Sequence, residues 1–324
     1  MPKAPRFIEL SVAPAGSGYR VDRFLKQAFP CLQAGVLQKA IRQGDVKVDG
    51  RKTLASHRLK EQARIALYRG LFQGAEPAQK PDVNVWNKKL ADEVGRLILA
   101  EESDYVVLNK PSGIAVQGGT GERQNLAAAA SIWAGQNLHI IHRLDKDTSG
   151  IFLLARNAVS ARVLSELFKE HRVHKEYWAL VCGVPFKKEG RHISWVYKKQ
   201  KGAAENWVST MTPHPEAKKA ETYFRVYATN GHRSLVQFRP VTGRTHQIRL
   251  HARDMGAPVY GDRRYGVKAD CPLLLHARIL GFKLHGEQEV SYMAPFPNYF
   301  LRQVQKIGLA LPPPEEGDKQ NPDC

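Results

Sequence analysis

The amino-acid sequence predicts an α+β fold with a mixed, largely antiparallel sheet, preceded by a small module of two helices and a hairpin. Antiparallel pairing is indicated by Glu221–Val241, which alternates around Asn230-Gly231, a dipeptide that favours a two-residue hairpin turn. Shorter stretches at Leu97–Ala100, Tyr105–Leu108 and Glu176–Val181 have the composition of strands. An amphipathic helix is predicted by apolar residues at helical spacing, namely Val159, Val163, Leu167 and Phe168.

The N-terminal module, residues 19–70, is predicted to hold two short helices and then a hairpin. Its first helix begins with apolar residues from Val21 to Leu25, and the alternation from Val46 to Gly50 is typical of a hairpin strand. The module contains twelve basic and four acidic residues. That excess favours contact with a nucleic-acid backbone over the alternative, a solvated helical face. The residues expected to make this contact are Arg23, Lys39, Arg42 and Lys47.

Two further segments are predicted to lie outside the folded domains. Residues 71–93 lose periodicity and carry Gly74, Pro77 and Pro81, a composition typical of an interdomain linker. We therefore expect the larger domain to span residues 94–310. Residues 311–324 are acidic and proline-rich and hold too little apolar surface to order themselves, so a disordered tail is predicted.

The composition limits the possible partners and the cellular compartment. The chain of 324 residues carries a formal charge of +18, which favours a polyanionic partner such as nucleic acid. Residues 1–19 contain no continuous apolar run, so neither a signal peptide nor a membrane span is predicted. We expect a cytoplasmic monomer, with an organellar matrix as the alternative location. The cysteines are too widely spaced for a disulfide framework or a metal knuckle: Cys31, Cys182, Cys271 and Cys324.

The run His142–Gly150 offers the most informative chemistry in the sequence. It precedes an apolar strand and therefore lies in a loop at a strand edge, where catalytic groups are common. It supplies a carboxylate at Asp145, a neighbouring guanidinium at Arg143 that can grip a phosphate, and a final glycine that permits positive φ. Local chemistry alone is equally compatible with a salt-bridged turn in which Asp147 or Thr148 caps the backbone.

The same run resembles the signature of the RluA-type pseudouridine synthases. Other segments resemble that family's motifs in the expected order: Asn109–Gly113, Lys175–Tyr177, Gly243–Arg249 and Leu275–Ala277. The N-terminal module resembles the RNA-binding domain of the S4 type through Val21–Leu25 and Gly44–Gly50. The resemblance implies an isomerase that makes pseudouridine, most directly in large-subunit ribosomal RNA. Transfer RNA is the alternative substrate, and a non-catalytic RNA-binding or ribosome-assembly factor is the alternative function.

The resemblance also implies a role for individual residues. Asp145 becomes the catalytic carboxylate, which attacks the ribose or the uracil ring or acts as a base; the sequence leaves these three open. Arg143 would enter the space left by an extruded uridine, and Tyr177 would stack against the flipped base. Arg244 would pair with Asp145 and keep it ionised. The remaining expected RNA contacts are His142, His246 and Gln247.

Neither a metal nor another cofactor is expected. The reaction that the resemblance implies needs no redox or metal chemistry. His246 and His251 are five residues apart, which spreads them around a helix and does not stack them on one face as in a zinc helix.

Overall fold

A computed structural model describes residues 7–12, 18–29, 32, 34–72, 83–118, 124–201, 204–266, 269–284 and 288–312. The chain divides into two compact units, Met1–Asp82 and Val83–Cys324. The predicted tail beyond residue 312, linker residues 73–82, Cys31 and Cys324 lie outside the described residues. Within the described part, no helix is both long and apolar enough to cross a membrane.

The N-terminal unit contains the predicted helices and hairpin and one further strand. Its elements are β1 (Phe7–Ser11), α1 (Val21–Ala28), α2 (Ala34–Gln43), β2 (Val46–Val48), β3 (Arg51–Lys52) and β4 (Arg64–Tyr68), followed by a 3-10 helix (Arg69–Phe72). The strands form an antiparallel sheet in the order β1-β4-β2-β3. Strand β1 lies before residue 19, at which the predicted module begins. Leu25, Ile41 and Ile65 pack in the core between the helices and the sheet.

The second unit is built on an eleven-stranded sheet. Its elements are α3 (Val83–Leu97), β5 (Ile98–Glu101), β6 (Tyr105–Lys110), α4 (Leu126–Trp133), β7 (His139–Ile140), β8 (Ser149–Ala155), α5 (Ala158–Lys169), β9 (Val173–Cys182), β10 (Glu189–Lys201), β11 (Ala204–Thr210), β12 (Lys218–Thr229), β13 (Arg233–Pro240), α6 (Gln247–Asp254), β14 (Leu275–Lys283), β15 (Glu289–Met293) and α7 (Asn298–Lys306). The strand order is β11-β10-β12-β13-β9-β14-β8-β6-β5, with β15 beside β14 and β7 beside β8. The predicted α+β class with a mixed, largely antiparallel sheet is confirmed.

Three local predictions differ in detail from the structure. Helix α3 begins at residue 83, inside the predicted linker 71–93, because Leu90 and Val94 recur at helical spacing and are buried. The predicted helix at α5 is present and Leu167 is buried as expected, but Val159 is 76% exposed, and Ser160 and Leu164 are buried in place of Val159 and Val163. The hairpin between β12 and β13 is confirmed, with its turn centred on Gly231 and His232, one residue later than the sequence indicates.

One parallel contact joins the two parts of the large sheet, and we call it the seam. Strands β8 and β14 pair there at only two positions, Ser149 with His276 and Gly150 with Ala277. Gly150 has φ of +109°, and a Cβ built on it would lie 2.1 Å from the carbonyl oxygen of Ala277. Glycine is therefore required, as the sequence indicated, because any side chain would collide with the neighbouring backbone.

Candidate active site

The loop between β7 and β8 carries Asp145 to the seam, where several elements converge. A cavity of about 610 Å³ is lined by this loop, by Tyr177 on β9 and by the segment that connects β13 to α6. A second cavity of about 1140 Å³ lies beside it. The residues that line both cavities are Arg143, Leu144, Asp145, His246 and Arg249. The half-buried Asp145 thus lies on the wall between two spaces.

A guanidinium and an imidazole face the Asp145 carboxylate. Arg249 Nη1 lies 3.5 Å from Asp145 Oδ2, and His246 Nε2 lies 3.7 Å from the same oxygen. Arg249 is itself fixed by two hydrogen bonds of 2.7 Å to the buried carboxylate of Asp262. A bidentate pair of this kind holds a guanidinium in one orientation. The first turn of α6 therefore presents a fixed positive charge to Asp145.

The predicted pairing of Arg244 with Asp145 is wrong. Arg244 Nε donates to the carbonyl oxygen of Lys219 at 3.0 Å, at the edge of the smaller cavity. The chain turns sharply at His246, which has φ of +55°, and only then enters α6. This turn brings Arg249, the second arginine of the same motif, to the carboxylate. The motif contained the correct residue, but spacing alone does not decide between its two arginines.

Gln247, expected to contact RNA, is instead a buried structural residue. Its Oε1 accepts hydrogen bonds from Thr242 Oγ1 at 2.7 Å and from the backbone N–H of Arg244 at 2.9 Å. Its Nε2 donates to Glu221 O and Thr222 Oγ1, both at 2.9 Å. These four bonds use the full capacity of the amide, so Gln247 fixes the turn before α6.

His142 is also turned into the protein and does not offer its ring to RNA as expected. Its Nε2 accepts a hydrogen bond from the backbone N–H of Leu153 at 2.9 Å, and its ring stacks on Phe168 with centroids 4.5 Å apart. Burial, together with the nearby Lys175, lowers the pKa of His142 to about 3. A neutral His142 therefore anchors the start of the Asp145 loop to β8 and α5.

Lys110 holds the same loop through hydrogen bonds to backbone carbonyl groups, a role that the sequence did not indicate. Its fully buried Nζ donates to the carbonyl oxygens of Pro111, Ile114 and Lys146 at 2.8 to 2.9 Å. Burial lowers the pKa of Lys110 to about 7, and the carboxylates of residues 147 and 145 oppose that shift. Three acceptors match the three N–H groups of an ammonium, so we assign the charged form. The only sequence signal was the place of Lys110 in the motif Asn109–Gly113.

Tyr177 and Lys175 lie on β9 and line the smaller cavity. Tyr177 pairs with Ala277 of β14 on one side and Phe238 of β13 on the other. Burial, and then the charge of Asp145, raises the pKa of the Tyr177 phenol, which therefore stays protonated at neutral pH. Burial lowers the pKa of Lys175 to about 8. The cavity thus combines a carboxylate, a neutral phenol and cations.

The other predicted RNA contacts are surface cations. Arg143 is exposed beside Asp145. In the N-terminal unit, Arg23, Lys39 and Arg42 are exposed on α1 and α2, whereas Lys47 is half-buried on β2 with Nζ 5.5 Å from the centroid of the Phe7 ring. No group of three His, Cys, Asp or Glu side chains among the described residues could hold a metal ion.

Comparisons with known proteins agree on one family over most of the chain. The family described as RNA pseudouridylate synthase matches residues 104–254, and the S4 domain matches residues 20–65. The ribosomal large subunit pseudouridine synthase C of Rickettsia conorii is 36% identical over 88% of this chain and 96% of its own. The protein of that name from Vibrio cholerae is 34% identical over 94% and 98%. The solved structure of human RNA pseudouridylate synthase domain containing 4 is 26% identical, covers 71% of this chain and 99% of its own, and has a TM-score of 0.60.

Proposed function

Since this chain belongs to the RNA pseudouridylate synthase family and is thus an isomerase that converts uridine to pseudouridine in RNA, we propose that its substrate is large-subunit ribosomal RNA. The names of the bacterial relatives and the near-complete coverage of their length support this substrate. The observation that carries the activity is the placement of Asp145 between Arg249 and His246 in a cavity that Tyr177 also lines.

We assign the following steps to the residues of this cavity. The reaction breaks the N1–C1′ bond of uridine, forms a C5–C1′ bond and moves one hydrogen from C5 to N1. Asp145 is the group that acts on the ribose or the uracil ring, and the Arg249 guanidinium pairs with its carboxylate and orients it. Tyr177 offers its ring to the flipped uracil while its phenol stays protonated. Arg143, exposed at the same wall, fills the space that the extruded uridine leaves in the RNA.

We propose that the enzyme works in the cytoplasm as a monomer. Ribosomal RNA is made in the cytoplasm of the bacteria that hold the similar enzymes, and a single copy of the chain supplies a carboxylate, a phenol and cations to one cavity. Transfer RNA is the competing substrate. Retention of Arg143, Asp145 and Tyr177 argues against the non-catalytic RNA-binding factor that was the alternative function from the sequence.

Mapping pseudouridine across all cellular RNA, with and without the gene, tests the proposed substrate. We expect sites to disappear from large-subunit ribosomal RNA and to return when the wild-type gene, but not Asp145→Asn, is restored. Loss confined to transfer RNA would establish the competing substrate. An unchanged map would overturn the proposed substrate.

The N-terminal unit is expected to supply phosphate contacts, so its exposed cations should set the salt dependence of RNA binding. The triple variant Arg23→Gln, Lys39→Gln, Arg42→Gln removes three of them from the helix surface. Each lost phosphate contact should lower the slope of log affinity against log salt by about 0.7 to 0.9. Fluorescence anisotropy with labelled RNA at several salt concentrations measures that slope.

The matched control removes three exposed arginines of the second unit that already pair with glutamates. They are Arg162, Arg172 and Arg225. We expect the control triple to change the slope less than the N-terminal triple. In both variants the single-turnover rate at saturating enzyme should stay near wild type. Equal slopes for the two triples would show that the N-terminal unit does not make the phosphate contacts.

A further inference from the structure

A tyrosine from the loop after α6 reaches the catalytic carboxylate through a histidine. Tyr265 OH lies 2.7 Å from His246 Nδ1, and His246 Nε2 lies 3.7 Å from Asp145 Oδ2. Tyr265 is held in turn by Asp262, whose Oδ1 accepts a hydrogen bond from the Tyr265 backbone N–H at 3.0 Å. The Arg249 guanidinium lies 5.0 Å from the centroid of the Tyr265 ring. Asp262 and Tyr265, which are joined to each other, therefore hold both partners of Asp145: Asp262 holds Arg249, and Tyr265 holds His246.

The backbone of His246 has an unusual conformation that this arrangement requires. His246 has φ of +55°, in the left-handed region that few residues other than glycine adopt. Such a conformation persists only where surrounding structure fixes it and is often found at functional sites. Here the conformation places the imidazole between a phenol and a carboxylate.

The order of these groups selects one tautomer of His246. Burial lowers the pKa of His246, and among its charged neighbours Asp145 and Asp262 raise it whereas Arg249 and Arg264 lower it. The ring is therefore neutral near pH 7 and carries one N–H. A proton on Nδ1 would turn the Nε2 lone pair toward the Asp145 carboxylate, which is repulsive. A phenol that donates to Nδ1 leaves the proton on Nε2, directed at Asp145.

We propose that Tyr265 and His246 form a positioning pair, in which the Tyr265 hydroxyl fixes the Nε2–H tautomer of His246 and that N–H dipole orients the Asp145 carboxylate. The proposal deepens the proposed function, because it assumes that Asp145 performs the chemistry. This positioning role replaces the RNA contact that the sequence predicted for His246. Tyr265 lies outside all of the motif segments, so only the fold shows that it contacts His246.

The first test is Tyr265→Phe, which removes the hydroxyl and keeps the ring. We expect the single-turnover rate at pH 8 to fall about fivefold, equivalent to the loss of one neutral hydrogen bond, with RNA affinity unchanged. Because burial lowers the pKa of His246 below its ordinary value, the ratio of variant to wild-type rate should rise only in the acid range, as the pH falls from 6 toward 5. Protonation of His246 places a hydrogen on both nitrogens and so restores the N–H toward Asp145 without help from Tyr265. A simple packing defect would give a ratio that stays constant from pH 8 to pH 5, and that result overturns the proposal.

The second test places Tyr265→Phe on a His246→Asn background. Asparagine tolerates the left-handed conformation and has no tautomers or titration in this pH range, so the fold should survive. We expect Tyr265→Phe to change the rate of this variant less than twofold, at any pH, because the tyrosine acts only through the histidine. If Tyr265→Phe reduces the rate by the same factor with and without His246, the two residues are not a pair.

The tautomer can be read directly in the full-length protein without RNA. Long-range ¹⁵N–¹H correlation spectra distinguish Nδ1-protonated from Nε2-protonated imidazoles, and the His246 signals are those lost in His246→Asn. We expect the Nε2–H form in wild type and a mixture in Tyr265→Phe. Wild-type protein with the proton on Nδ1 would refute the pair. Because no substrate is present, this result is independent of whether the proposed ribosomal substrate is correct.

Discussion

Asp145→Asn is expected to abolish isomerisation in a folded protein that still binds RNA. Asparagine is nearly isosteric with aspartate, and the side chain is only half-buried, so the loop should keep its shape. The amide lacks the negative charge that Arg249 and His246 face, and it is neither a nucleophile nor a base. We expect the single-turnover rate to fall at least about 1000-fold, the scale seen when an essential catalytic side chain is removed.

The matched control is Asp92→Asn, on helix α3. Asp92 is exposed and lines neither cavity, so the substitution removes a carboxylate away from the site. We expect its rate to remain within about threefold of wild type, as for most surface changes. Pseudouridine in the product RNA is measured by mass spectrometry, and affinity by anisotropy. Turnover of Asp145→Asn within tenfold of wild type would remove Asp145 from the chemistry.

Arg249→Ala is expected to lower both the stability of the protein and the rate of the reaction. It deprives the buried Asp262 of the two hydrogen bonds from the guanidinium, and breaking such a pair costs about 3 to 5 kcal/mol in the free energy of unfolding. It also leaves Asp145 without its guanidinium partner. The carboxylate then loses the contact that orients it, so the single-turnover rate should fall by up to about 100-fold, because a displaced catalytic group is poorly aligned with the substrate.

Two further variants distinguish the orienting role of the Arg249 guanidinium from the effect of its positive charge alone. Arg249→Lys keeps one positive charge but loses the planar fork that serves Asp262 and Asp145 together, so its rate should fall between wild type and alanine. Arg244→Ala removes a cation from the cavity edge and should reduce the rate far less than Arg249→Ala does. Urea unfolding verifies that each protein is folded under assay conditions. A larger loss of rate in Arg244→Ala than in Arg249→Ala would restore the pairing that the sequence indicated.

The parts of the site that depend on local pattern could be predicted from the sequence. The run around Asp145 fell in a loop before an apolar strand, and the alternation on both sides of Asn230-Gly231 identified a hairpin. Gly150 was expected to permit positive φ. The carbonyl oxygen of Ala277 also lies so close to it that no residue with a side chain would fit. These features follow from turn chemistry and periodicity over a few residues.

The remaining parts depend on burial, which a single sequence does not reveal. Gln247 and His142 are polar residues inside functional motifs, yet neighbours far along the chain occupy their hydrogen-bonding groups. The choice between Arg244 and Arg249 was fixed by the left-handed turn between them. From the sequence alone, Lys110 cannot be distinguished from a surface lysine. In the fold its ammonium is buried among three carbonyl groups.

The seam between β8 and β14, together with the buried side chains that pack across it, holds the two sides of the catalytic centre together. Asp145 precedes β8 on one side of it, whereas Tyr177 and Arg249 belong to elements on the other side. Any opening that separates the strands also separates the carboxylate from its cation and from the phenol. Hydrogen exchange at the backbone amides of the seam therefore reports the fraction of molecules that are momentarily incompetent. A uridine bound between the two sides should slow that exchange, so substrate would stabilise the same contact that its own isomerisation requires.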